Sequence, residues 1–591
     1  MSSAQPSTNE LEQAALQQIR SGDFAAATRL YRQAIAQGDA SAAACSNLAA
    51  LHIKAGNLEG AVELLQQVLQ RAPGNAEAWL NLGTAQHGLH HYGPAIASFR
   101  RATSLKPVLV KAHANLGHAL LADNEPQQAL QAYEAALALQ PGQPELLSGR
   151  GMALRALERF NDSINSLQQA LSLKGPSPEL LNNLGLSLQA AGRCPEAMAC
   201  FEQAITLSPN QPEIHSNLGL AHLEQGRIPE AAACFQQALQ LDPLYPEAHR
   251  HLAYCIDGRL DPLPEQRAIA SLASLQEHPK RYHLQFSIGK YKLDRLEPDA
   301  AAWFSEANRV RSEQLQGRWT LPELRTLLEL NHSVVRQANR QTSAQPLPQN
   351  NAGGTTPALL FIVGLPRSGS TLVETILSQN QQLLDLGEVS HLPKALEQSL
   401  SIESIRRHYL EAATAHPQFT PEIQAISDKF LYNFAHCQIL DVVFPGCRIL
   451  HVHRNPMDNI WSTFTNHFTT SNEWTYNLEQ SVAFYHLYRQ VMAAHEQAMP
   501  GRIHHINYDQ LTRSPQTEIP RLIAACGWAW DEAYLHPERS GRQIHTASVV
   551  QARSPISSRS VGRWQHYREL LQPYADQLES LGYSTAIEPV A

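Results

Sequence analysis

The stretch LLFIVGLPRSGSTLVETILSQ, residues 359–379, indicates a strand, a tight polar turn and a helix in direct succession. Its first five residues are apolar and a glycine follows, which is typical of a buried strand. The turn carries the cation Arg367, and the helical segment TLVETILSQ comes directly after it. Because a strand followed by a helix is the unit from which parallel sheets are built, the stretch predicts an α/β fold for the C-terminal half.

Three further apolar runs, separated by segments long enough for crossover helices, are also predicted to be strands. They are LLDLG at residues 383–387, RILHVH at residues 448–453 and RIHHINY at residues 502–508. This alternation predicts a parallel sheet with helices on both faces. In such sheets the functional side chains lie at the carboxyl ends of the strands, where the loops open.

The turn GLPRSGST, at the carboxyl end of the first predicted strand, has the features of an anion site. Its glycines let the backbone approach a ligand, its N–H groups and the following helix terminus attract negative charge, and Arg367 adds a permanent cation. The phosphate-binding loop of nucleotide triphosphatases, GxxxxGK[ST], has a lysine where this chain has Ser370. The missing lysine argues against a magnesium triphosphate ligand and against a kinase of that class.

A second strand end, in the segment HVHRNPMDNIWSTF, repeats this arrangement. Arg454 stands at the end of a predicted strand, Pro456 opens a helix, and Ser462 follows Arg454 by eight residues. An arginine and a hydroxyl on the same side of a strand-to-helix junction suit a second phosphate group. Two anion sites in one pocket indicate a ligand with phosphates at both ends of a nucleoside.

The N-terminal half repeats with a period of 34 residues. The tripeptide NLG at residues 81–83 returns at 115–117, 183–185 and 217–219, and two further series, of small residues and of prolines, keep the same spacing. A 34-residue period with these features is typical of tetratricopeptide repeats, in which each repeat is a pair of helices. The small residues let the paired backbones approach, and the proline ends the second helix.

These patterns divide the chain into four predicted regions. Residues 1–276 form a right-handed α-solenoid of about seven tetratricopeptide repeats, and residues 277–340 form a helical capping or connecting segment with one diverged helix pair. Residues 341–357, rich in Pro, Gly, Asn and Ser, are a linker, and residues 358–591 are the α/β domain. The solenoid is either a spacer or dimerisation element, or a groove that binds a polypeptide.

The composition indicates an ordinary globular protein. Hydrophobic residues make up 43% of the 591 residues, the net charge is −8, and no apolar run approaches the roughly 20 residues needed to span a bilayer. The negative charge argues against broad nucleic-acid binding, and the eight cysteines lack the CxxC spacing of zinc or redox sites. The N-terminus has neither the basic start nor the apolar stretch of a signal peptide, so a cytoplasmic location is expected.

Three segments together resemble a known family of transferases. GLPRSGST, RNPMDNIWS and the later SVGRW are similar, in this order and spacing, to the sulfotransferases that use 3′-phosphoadenosine-5′-phosphosulfate. The resemblance covers residues 359–583 and is strongest to the tyrosylprotein sulfotransferases, and bacterial members carry tetratricopeptide arrays in front. It implies sulfuryl transfer from this nucleotide to a hydroxyl acceptor, with no metal ion, and a protein or peptide partner held by the repeats.

The resemblance assigns cofactor contacts to the two loops and to one tyrosine. The residues expected to hold the 5′-phosphosulfate are Arg367, Ser368, Gly369, Ser370 and Thr371. Arg454 and Ser462 are expected to hold the 3′-phosphate, and Tyr508 is expected to pack near the adenine.

The resemblance also assigns the catalytic groups. Glu388 corresponds to the general base, Lys429 stabilises the bridging oxygen as it leaves, and Arg367 replaces the work of lysine and magnesium. Ser548, in the segment that closes over the cofactor, is expected near the transferred group. In the same segment the candidate phosphate contacts, which are not ranked, are Arg553, Arg559 and Arg563.

Several alternatives stay open at this level. Where the tyrosylprotein enzymes have a charged stretch after the catalytic glutamate, this chain has Val389, Ser390 and His391, so the acceptor can be a protein tyrosine, a glycan or a small molecule. His391 is a rival base, since cytosolic relatives employ histidine. Lys429 can instead pair on the surface with a neighbouring aspartate. The whole chain can also be a nucleotide sensor or scaffold with an inactive transferase domain.

Overall fold

A computed structural model describes residues 6–38, 40–315, 319–342, 357–416, 418–468, 472–540 and 553–587. These residues fall into two compact units, which divide between Asn210 and Gln211. Ser548 and residues 343–356 of the predicted linker lie outside the described residues. The second unit contains both the last repeat helices and the α/β sheet.

The first unit is built from helices that pair in succession. They are α1 (Thr8–Ser21), α2 (Phe24–Ala36), α3 (Ala42–Lys54), α4 (Leu58–Arg71), α5 (Ala76–Gly88), α6 (Tyr92–Leu105), α7 (Val110–Ala122), α8 (Pro126–Leu139), α9 (Pro144–Ala156), α10 (Phe160–Lys174), α11 (Pro178–Ala190) and α12 (Cys194–Leu207).

The second unit begins with seven helices and continues with an α/β region. The helices are α13 (Pro212–Glu224), α14 (Ile228–Leu241), α15 (Pro246–Cys255), α16 (Leu263–Ser274), α17 (Tyr282–Asp294), α18 (Ala300–Leu315) and α19 (Leu324–Thr342). The strands that follow are β1 (Ala358–Gly364), β2 (Leu383–Asp385), β3 (Ala425–Asp428), β4 (Arg448–His453) and β5 (Ile503–Asn507). The helices of the α/β region are α20 (Ser370–Leu377), α21 (His391–Gln398), α22 (Ile402–Thr414), α23 (Cys437–Val443), α24 (Pro456–Phe464), α25 (Leu478–Ala498), α26 (Tyr508–Arg513), α27 (Pro515–Cys526) and α28 (Arg568–Ser580).

The helical pairing follows from the small residues of the 34-residue period. A Cβ atom at Gly83 would lie 2.7 Å from the ring of Phe99, and one at Gly117 would lie 2.7 Å from the ring of Tyr133. Gly219 and Phe235 are related in the same way. In each of these repeats a glycine of the first helix thus makes room for an aromatic ring, 16 residues later, of the second. The predicted fold class is confirmed for this half: α1 to α14 form seven helix pairs.

The diverged pair expected after the repeats corresponds to α17 and α18. A Cβ atom at Gly289 of α17 would lie 3.0 Å from the ring of Phe304 on α18. The helices α17 and α18 thus pack like the helix pairs of the repeats before them. Helix α18 also contacts the α/β region, because Phe304 lies edge-on to Trp461 at 5.9 Å and the Asn308 side-chain amide donates to the Phe464 carbonyl at 2.8 Å. The last helix pair therefore packs directly on α24.

The sheet is parallel throughout, with the strand order β2-β3-β1-β4-β5. All four strands expected from the sequence are present, but β2 ends at Asp385 rather than at residue 387, and Tyr508 begins α26 instead of ending β5. Strand β3 was missed by the sequence analysis. It has only four residues, of which Ser427 and Asp428 are polar, so it lacks an apolar run long enough to recognise.

The strand order reverses between β1 and β4. From β1 the chain crosses to β2 on one side of the sheet, whereas from β4 it continues to β5 on the other side. Because the two connections diverge, a crevice opens between the carboxyl ends of β1 and β4, which is where ligands bind in open α/β sheets. Both arginine-bearing loops of the sequence follow these two strands.

The close approach of the repeat helices can be tested at Gly149 of α9, where an added Cβ atom would overlap the buried ring of Tyr133. We expect Gly149→Ala to lower the free energy of unfolding by roughly 1–3 kcal/mol, since the ring must shift. Gly93 of α6 is the matched control, because nothing lies within 4 Å of its Cβ position. Gly93→Ala should stabilise by up to about 1 kcal/mol through helix propensity. Thermal unfolding followed by circular dichroism compares the variants, and equal midpoints would contradict the packing described.

Candidate functional site

The loop after β1 is held tightly between β4 and α26. A Cβ atom at Gly364 would overlap the carbonyl oxygen of Val452, and one at Gly369 would overlap the ring of Tyr508. Gly369 has a φ of 103° and caps the N-terminus of α20, while Arg367 takes a φ of 64°, which is uncommon for a residue other than glycine. The turn thus needs its glycines for close approach, and it directs the N-terminus of α20 to the sheet edge.

Arg367 and the second loop contact each other directly. The Arg367 Nε donates to the Ser462 hydroxyl at 3.2 Å, and the Arg454 Nη1 donates to the Arg367 carbonyl at 3.4 Å. Burial, and to a smaller extent the charge of Arg454, lowers the pKa of Arg367, whose guanidinium nonetheless stays charged at neutral pH. The two anion motifs predicted from separate parts of the sequence therefore meet in one place.

Arg454 is buried and held on several sides. Its Nη2 donates to the Ser560 carbonyl at 2.9 Å, and its guanidinium lies 4.9 Å from the ring centroid of Tyr508. The carboxylates of Asp458 and Asp509 each approach it to 3.9 Å. The hydroxyl groups of Tyr508 and Ser560 lie 3.1 Å apart, at hydrogen-bond distance. Hydrogen bonds, two carboxylates and an aromatic ring thus surround the Arg454 guanidinium.

Asp458 explains why the C-terminal segment SVGRW accompanies the two loops. Its buried carboxylate accepts hydrogen bonds from the backbone N–H groups of Gly562 at 2.5 Å and Trp564 at 3.2 Å. Burial raises its pKa, while the Arg454 charge and the two N–H groups act in the opposite direction. The carboxylate thereby joins α24 to the C-terminal segment, which closes one side of the crevice.

A cavity of about 710 Å³ lies in this crevice. Among the described residues that line it, five carry a positive charge and one is a carboxylate, so it suits a ligand with several negative charges. The cationic residues are Lys290, Arg367, Arg454, Arg559 and Arg563. The carboxylate is Asp458, which is already engaged. Gly369, Thr371, Ser462 and Tyr508 also line the cavity.

Ser368 and Ser370 are buried, and neither lines the cavity. The Ser368 hydroxyl has no hydrogen-bond partner among the described residues. A buried hydroxyl without a partner is costly, and a bound oxyanion is one group that could satisfy it.

Glu388 and Lys429 form a second, adjacent cluster after β2 and β3. The Lys429 Nζ lies 2.8 Å from a carboxylate oxygen of Glu388 and 3.4 Å from one of Glu374 on α20. Lys429 and Glu374 are fully buried, whereas the Glu388 side chain is 47% exposed. The alternative of a surface pair between Lys429 and an aspartate is therefore wrong. Neither residue lines the 710 Å³ cavity, and Glu374, three residues after Thr371, connects the cluster to its wall.

Asp428 faces a different environment from its neighbour Lys429. Its carboxylate accepts from the Tyr409 hydroxyl at 2.9 Å and from the Phe430 backbone N–H at 2.8 Å. Burial raises the pKa of Asp428 to about 7. Asp428 therefore stabilises the turn that carries Lys429, and the charges of Glu374 and Lys429 act on its pKa in opposite directions.

The C-terminal arginines left unranked by the sequence are separated by the structure. Arg559 and Arg563 line the cavity, and the Arg563 Nη2 donates to the Leu293 carbonyl of α17 at 2.7 Å. Arg553 instead donates to the carbonyl of Ser540 and does not line the cavity. The assignment of Ser548 stays a prediction, because this residue lies outside the described residues.

Other lining residues were missed by the sequence analysis. Tyr254 of α15 and Lys290 of α17 lie in the cavity wall, although they belong to repeat-like helices. Asp458 and Ser560 were also overlooked. The acidic first-turn position of Asp458 was a visible signal, but it resembled an ordinary helix-terminal carboxylate. No periodicity marks Tyr254 or Lys290, so only the tertiary contacts reveal them.

Two further properties concern the described part of the chain. Within it, no group of three or more His, Cys, Asp or Glu side chains is arranged to hold a metal ion. Among its helices, none is long and apolar enough to cross a membrane.

Family comparisons agree with the two halves of the chain. Residues 357–424 and 390–532 match the family model described as "Sulfotransferase family", which spans all five strands and both arginine-bearing loops. Residues 18–82, 53–116, 110–143 and 212–245 match models described as "Tetratricopeptide repeat", and residues 190–226 match one described as "TPR repeat".

Individual relatives cover only parts of the chain. An uncharacterized protein of Aquifex aeolicus (strain VF5) is 26% identical over 256 residues, and the match covers 39% of this chain and 33% of that protein. The match thus spans about one third of the length of that curated relative. A thermophilic TPR protein of Thermus thermophilus is 23% identical with a TM-score of 0.28, and the match covers 31% of this chain and 100% of that one. A tetratricopeptide repeat protein from Parabacteroides merdae ATCC 43184 is 17% identical with a TM-score of 0.37, and the match covers 42% of this chain and 97% of that one.

The buried cluster predicts unequal effects of removing its buried cation and its exposed carboxylate. Lys429→Met should lower the free energy of unfolding by about 3–5 kcal/mol, because it leaves the Glu374 carboxylate buried without its cation. Glu388→Gln should change it by about 1 kcal/mol or less, since Glu388 is half exposed. The double variant Lys429→Met/Glu374→Gln should recover part of the loss. Urea unfolding measures all three, and a small effect of Lys429→Met would contradict the buried pairing.

Asp428 predicts a pH dependence with a defined sign. Its pKa of about 7 in the folded protein lies above the ordinary value of 3.8, so the unfolded chain loses the Asp428 proton at a lower pH than the folded chain does. The contribution of Asp428 to stability is therefore complete below about pH 4 and falls as the pH rises toward 7, by at most about 1.4 kcal/mol per pH unit. The difference in unfolding free energy between the wild type and Asp428→Asn should fall from about pH 5 to pH 7 and then level off. A difference that rises over this range would reverse the assignment.

Proposed function

We propose that this chain, which joins tetratricopeptide repeats to a domain of the sulfotransferase family, transfers a sulfuryl group from 3′-phosphoadenosine-5′-phosphosulfate to a hydroxyl acceptor. One observation carries the proposal. The loops after β1 and β4, each with an arginine, converge on one cationic cavity at the point where the strand order reverses. A nucleotide with negative groups at both ends fits such a cavity better than a ligand with a single charge.

The chain's own residues divide between the two ends of this nucleotide. In the proposal, Arg367 and the backbone from Ser368 to Thr371 hold the 5′-phosphosulfate, where the α20 N-terminus adds its positive dipole end. Arg454 and Ser462 hold the 3′-phosphate. The place of Arg454 and Ser462 in the cavity wall supports this role, because a guanidinium and a hydroxyl both donate hydrogen bonds to phosphate oxygens.

Tyr508 is proposed to pack near the adenine. Its ring contacts Gly369 and lies 4.9 Å from the Arg454 guanidinium. Tyr508 also lines the cavity, which supports a contact with the ligand. Aromatic rings in such positions stack on nucleobases, because every base has a flat π-face.

The proposed transfer chemistry falls on the Glu388 and Lys429 cluster. The donor supplies an activated sulfate, so the protein must take the acceptor's proton and stabilise the leaving phosphate oxygen. Glu388 is half exposed and can reach an acceptor hydroxyl, whose proton it would take, whereas Lys429 is buried and offers its charge from within. We favour Glu388 over His391 as the base, because the Glu388 carboxylate is half exposed and lies 2.8 Å from Lys429, the other proposed catalytic group. The proposed role of Ser548 near the transferred group is tested by the same assay.

The acceptor is proposed to be a protein or peptide hydroxyl, with a tyrosine as the first candidate. Tetratricopeptide repeats commonly present extended grooves to polypeptides, which supports this class. A glycan or small-molecule acceptor would leave the same cofactor site intact.

Cofactor binding is the first test. We expect 3′-phosphoadenosine 5′-phosphate to bind the intact protein with micromolar affinity in calorimetry, an order-of-magnitude value, and ATP not to match it. Ser462→Ala and Arg454→Ala should weaken binding about tenfold or more, through the loss of a phosphate hydrogen bond or charge. Arg502→Ala is the control for the loss of an arginine charge, because Arg502 pairs with Asp441 and lies outside the cavity. No binding to the intact protein would refute the proposal.

Transfer is the second test, and it separates an enzyme from a nucleotide sensor. With a sulfur-labelled donor and a pool of tyrosine peptides, the wild type should label a peptide, and Glu388→Gln should lower the rate about 100-fold or more. The same variant should bind 3′-phosphoadenosine 5′-phosphate as the wild type does, because Glu388 does not line the cavity. Normal binding without transfer to peptides, glycans or phenols would favour the sensor or scaffold function.

A further inference from the structure

We propose that the helices following the repeats form part of the nucleotide site, and that Lys290 of α17 binds the same phosphate group as Ser462. Tyr254 of α15 positions this lysine. The inference rests on the proposed function, which it extends to a part of the chain outside the matched transferase region of residues 357–532. It assigns a ligand contact to residues that belong to neither arginine-bearing loop.

The first support is the position of Lys290 and Tyr254 in the cavity wall. Both line the same 710 Å³ cavity as Arg367, Arg454 and Ser462. They belong to the same compact unit as the sheet, so their place in the wall is part of one packed body. A further cation in the wall of a cavity in which positive charge is already in excess suits an anionic ligand.

A chain of contacts places Lys290 on the Ser462 side of the cavity. The Lys290 Nζ lies 5.8 Å from the ring centroid of Tyr254, and the Tyr254 hydroxyl donates to the Asn466 side-chain oxygen at 3.3 Å. The Asn466 amide donates to the Ser462 backbone carbonyl at 2.7 Å. Tyr254 therefore connects the lysine to the last turn of α24, on which Ser462 lies. The phosphate assigned to Ser462 is the 3′-phosphate.

Asp294 holds the lysine in place. Both of its carboxylate oxygens lie 2.7 Å from the Lys290 Nζ, and one of them also accepts from the Gly258 backbone N–H at 3.1 Å. The two side chains are only 19% and 14% exposed. The pair fixes the ammonium at the cavity wall, and the three donors of a lysine leave capacity for a ligand oxygen.

Helix α17 supports the site in a second way. The carbonyl of Leu293 accepts from the Nη2 of Arg563 at 2.7 Å, and Leu293 also lines the cavity. The orientation of a cavity arginine from the C-terminal segment thus depends on α17. Helix α17 therefore carries the cavity cation Lys290 and also orients the cavity cation Arg563 through a backbone carbonyl.

Lys292 provides a matched control on the same helix. It is 17% exposed, close to the 19% of Lys290, and it pairs with Glu297 at 2.8 Å and Asp299 at 2.7 Å. It does not line the cavity. Replacing Lys290 removes a pair with Asp294, which is 14% exposed, whereas replacing Lys292 removes pairs with two carboxylates that are 35% and 55% exposed. Both variants remove a lysine of α17 from its ion pairs, and only Lys290→Met should lose affinity.

The experiment measures nucleotide affinity of the full chain by calorimetry. The variants are Lys290→Met, Lys292→Met and the double variant Lys290→Met/Asp294→Asn, and thermal unfolding checks that each is folded at the assay temperature. The probes are 3′-phosphoadenosine 5′-phosphate and adenosine 5′-phosphate, which lacks the 3′-phosphate. We expect Lys290→Met to lower the affinity for 3′-phosphoadenosine 5′-phosphate roughly tenfold to a hundredfold, as for the loss of a charge-assisted hydrogen bond. We expect Lys290→Met to change the affinity for adenosine 5′-phosphate less than about threefold. We expect Lys292→Met to change the affinity for either probe less than about threefold.

The double variant distinguishes a direct contact from an indirect charge effect. If Lys290 binds the phosphate, Lys290→Met/Asp294→Asn stays about as weak as the single variant. If Lys290 only neutralises Asp294, the double variant regains wild-type affinity, and the inference is overturned. Equal losses for both probes also overturn it, because they would place the lysine away from the 3′-phosphate.

The proposed function and this inference fail in different ways. No binding of either probe to the intact protein refutes the proposed function and the inference together. Normal binding to the intact protein, lost in Ser462→Ala but unchanged in Lys290→Met, refutes the inference and leaves the proposed function standing.

Discussion

The candidate site depends on the parallel pairing of β1 with β4. These strands lie side by side, and Gly364 at the end of β1 pairs with Val452 near the end of β4. Because their chains continue to opposite sides of the sheet, the loops that follow them face each other across a crevice. The absence of a side chain at Gly364 is what allows this approach, since a Cβ atom there would overlap the β4 backbone. The contacts of Arg367 with Ser462 and of Arg454 with the Arg367 carbonyl follow from that juxtaposition.

A network of buried charges and hydrogen bonds surrounds Arg454 on one side of this crevice. Arg454 lies between two carboxylates, an aromatic ring and a backbone carbonyl, and Asp458 accepts two N–H groups from the C-terminal segment. Removing a charge from water is costly unless its partners are in place, so such networks form only in a well-ordered structure. The arrangement places a cation in the wall of the cavity with charged and polar partners around it.

The repeats and the transferase region are less separate than their sequences indicate. The 34-residue pattern describes pairs of helices that pack on their neighbours, and for α1 to α14 the packing is indeed local. Beyond this region the same helical architecture meets the sheet, with Phe304 against Trp461 and Tyr254 against Asn466. The two compact units accordingly divide at Asn210, inside the repeat array and not at its end.

By itself the sequence determined whatever depends on local order along the chain. The repeat period, four of the five strands, and the two arginine loops were recognisable because glycines, prolines and apolar runs constrain the backbone nearby. Strand β3 was not, because four residues with two polar members carry no such signal. Only the tertiary structure decided that Lys429 is buried with Glu374, that Arg563 lines the cavity and Arg553 does not, and that Tyr254 and Lys290 reach it. These facts depend on contacts between residues far apart in the chain, which burial and charge select only once the sheet and the helices have come together.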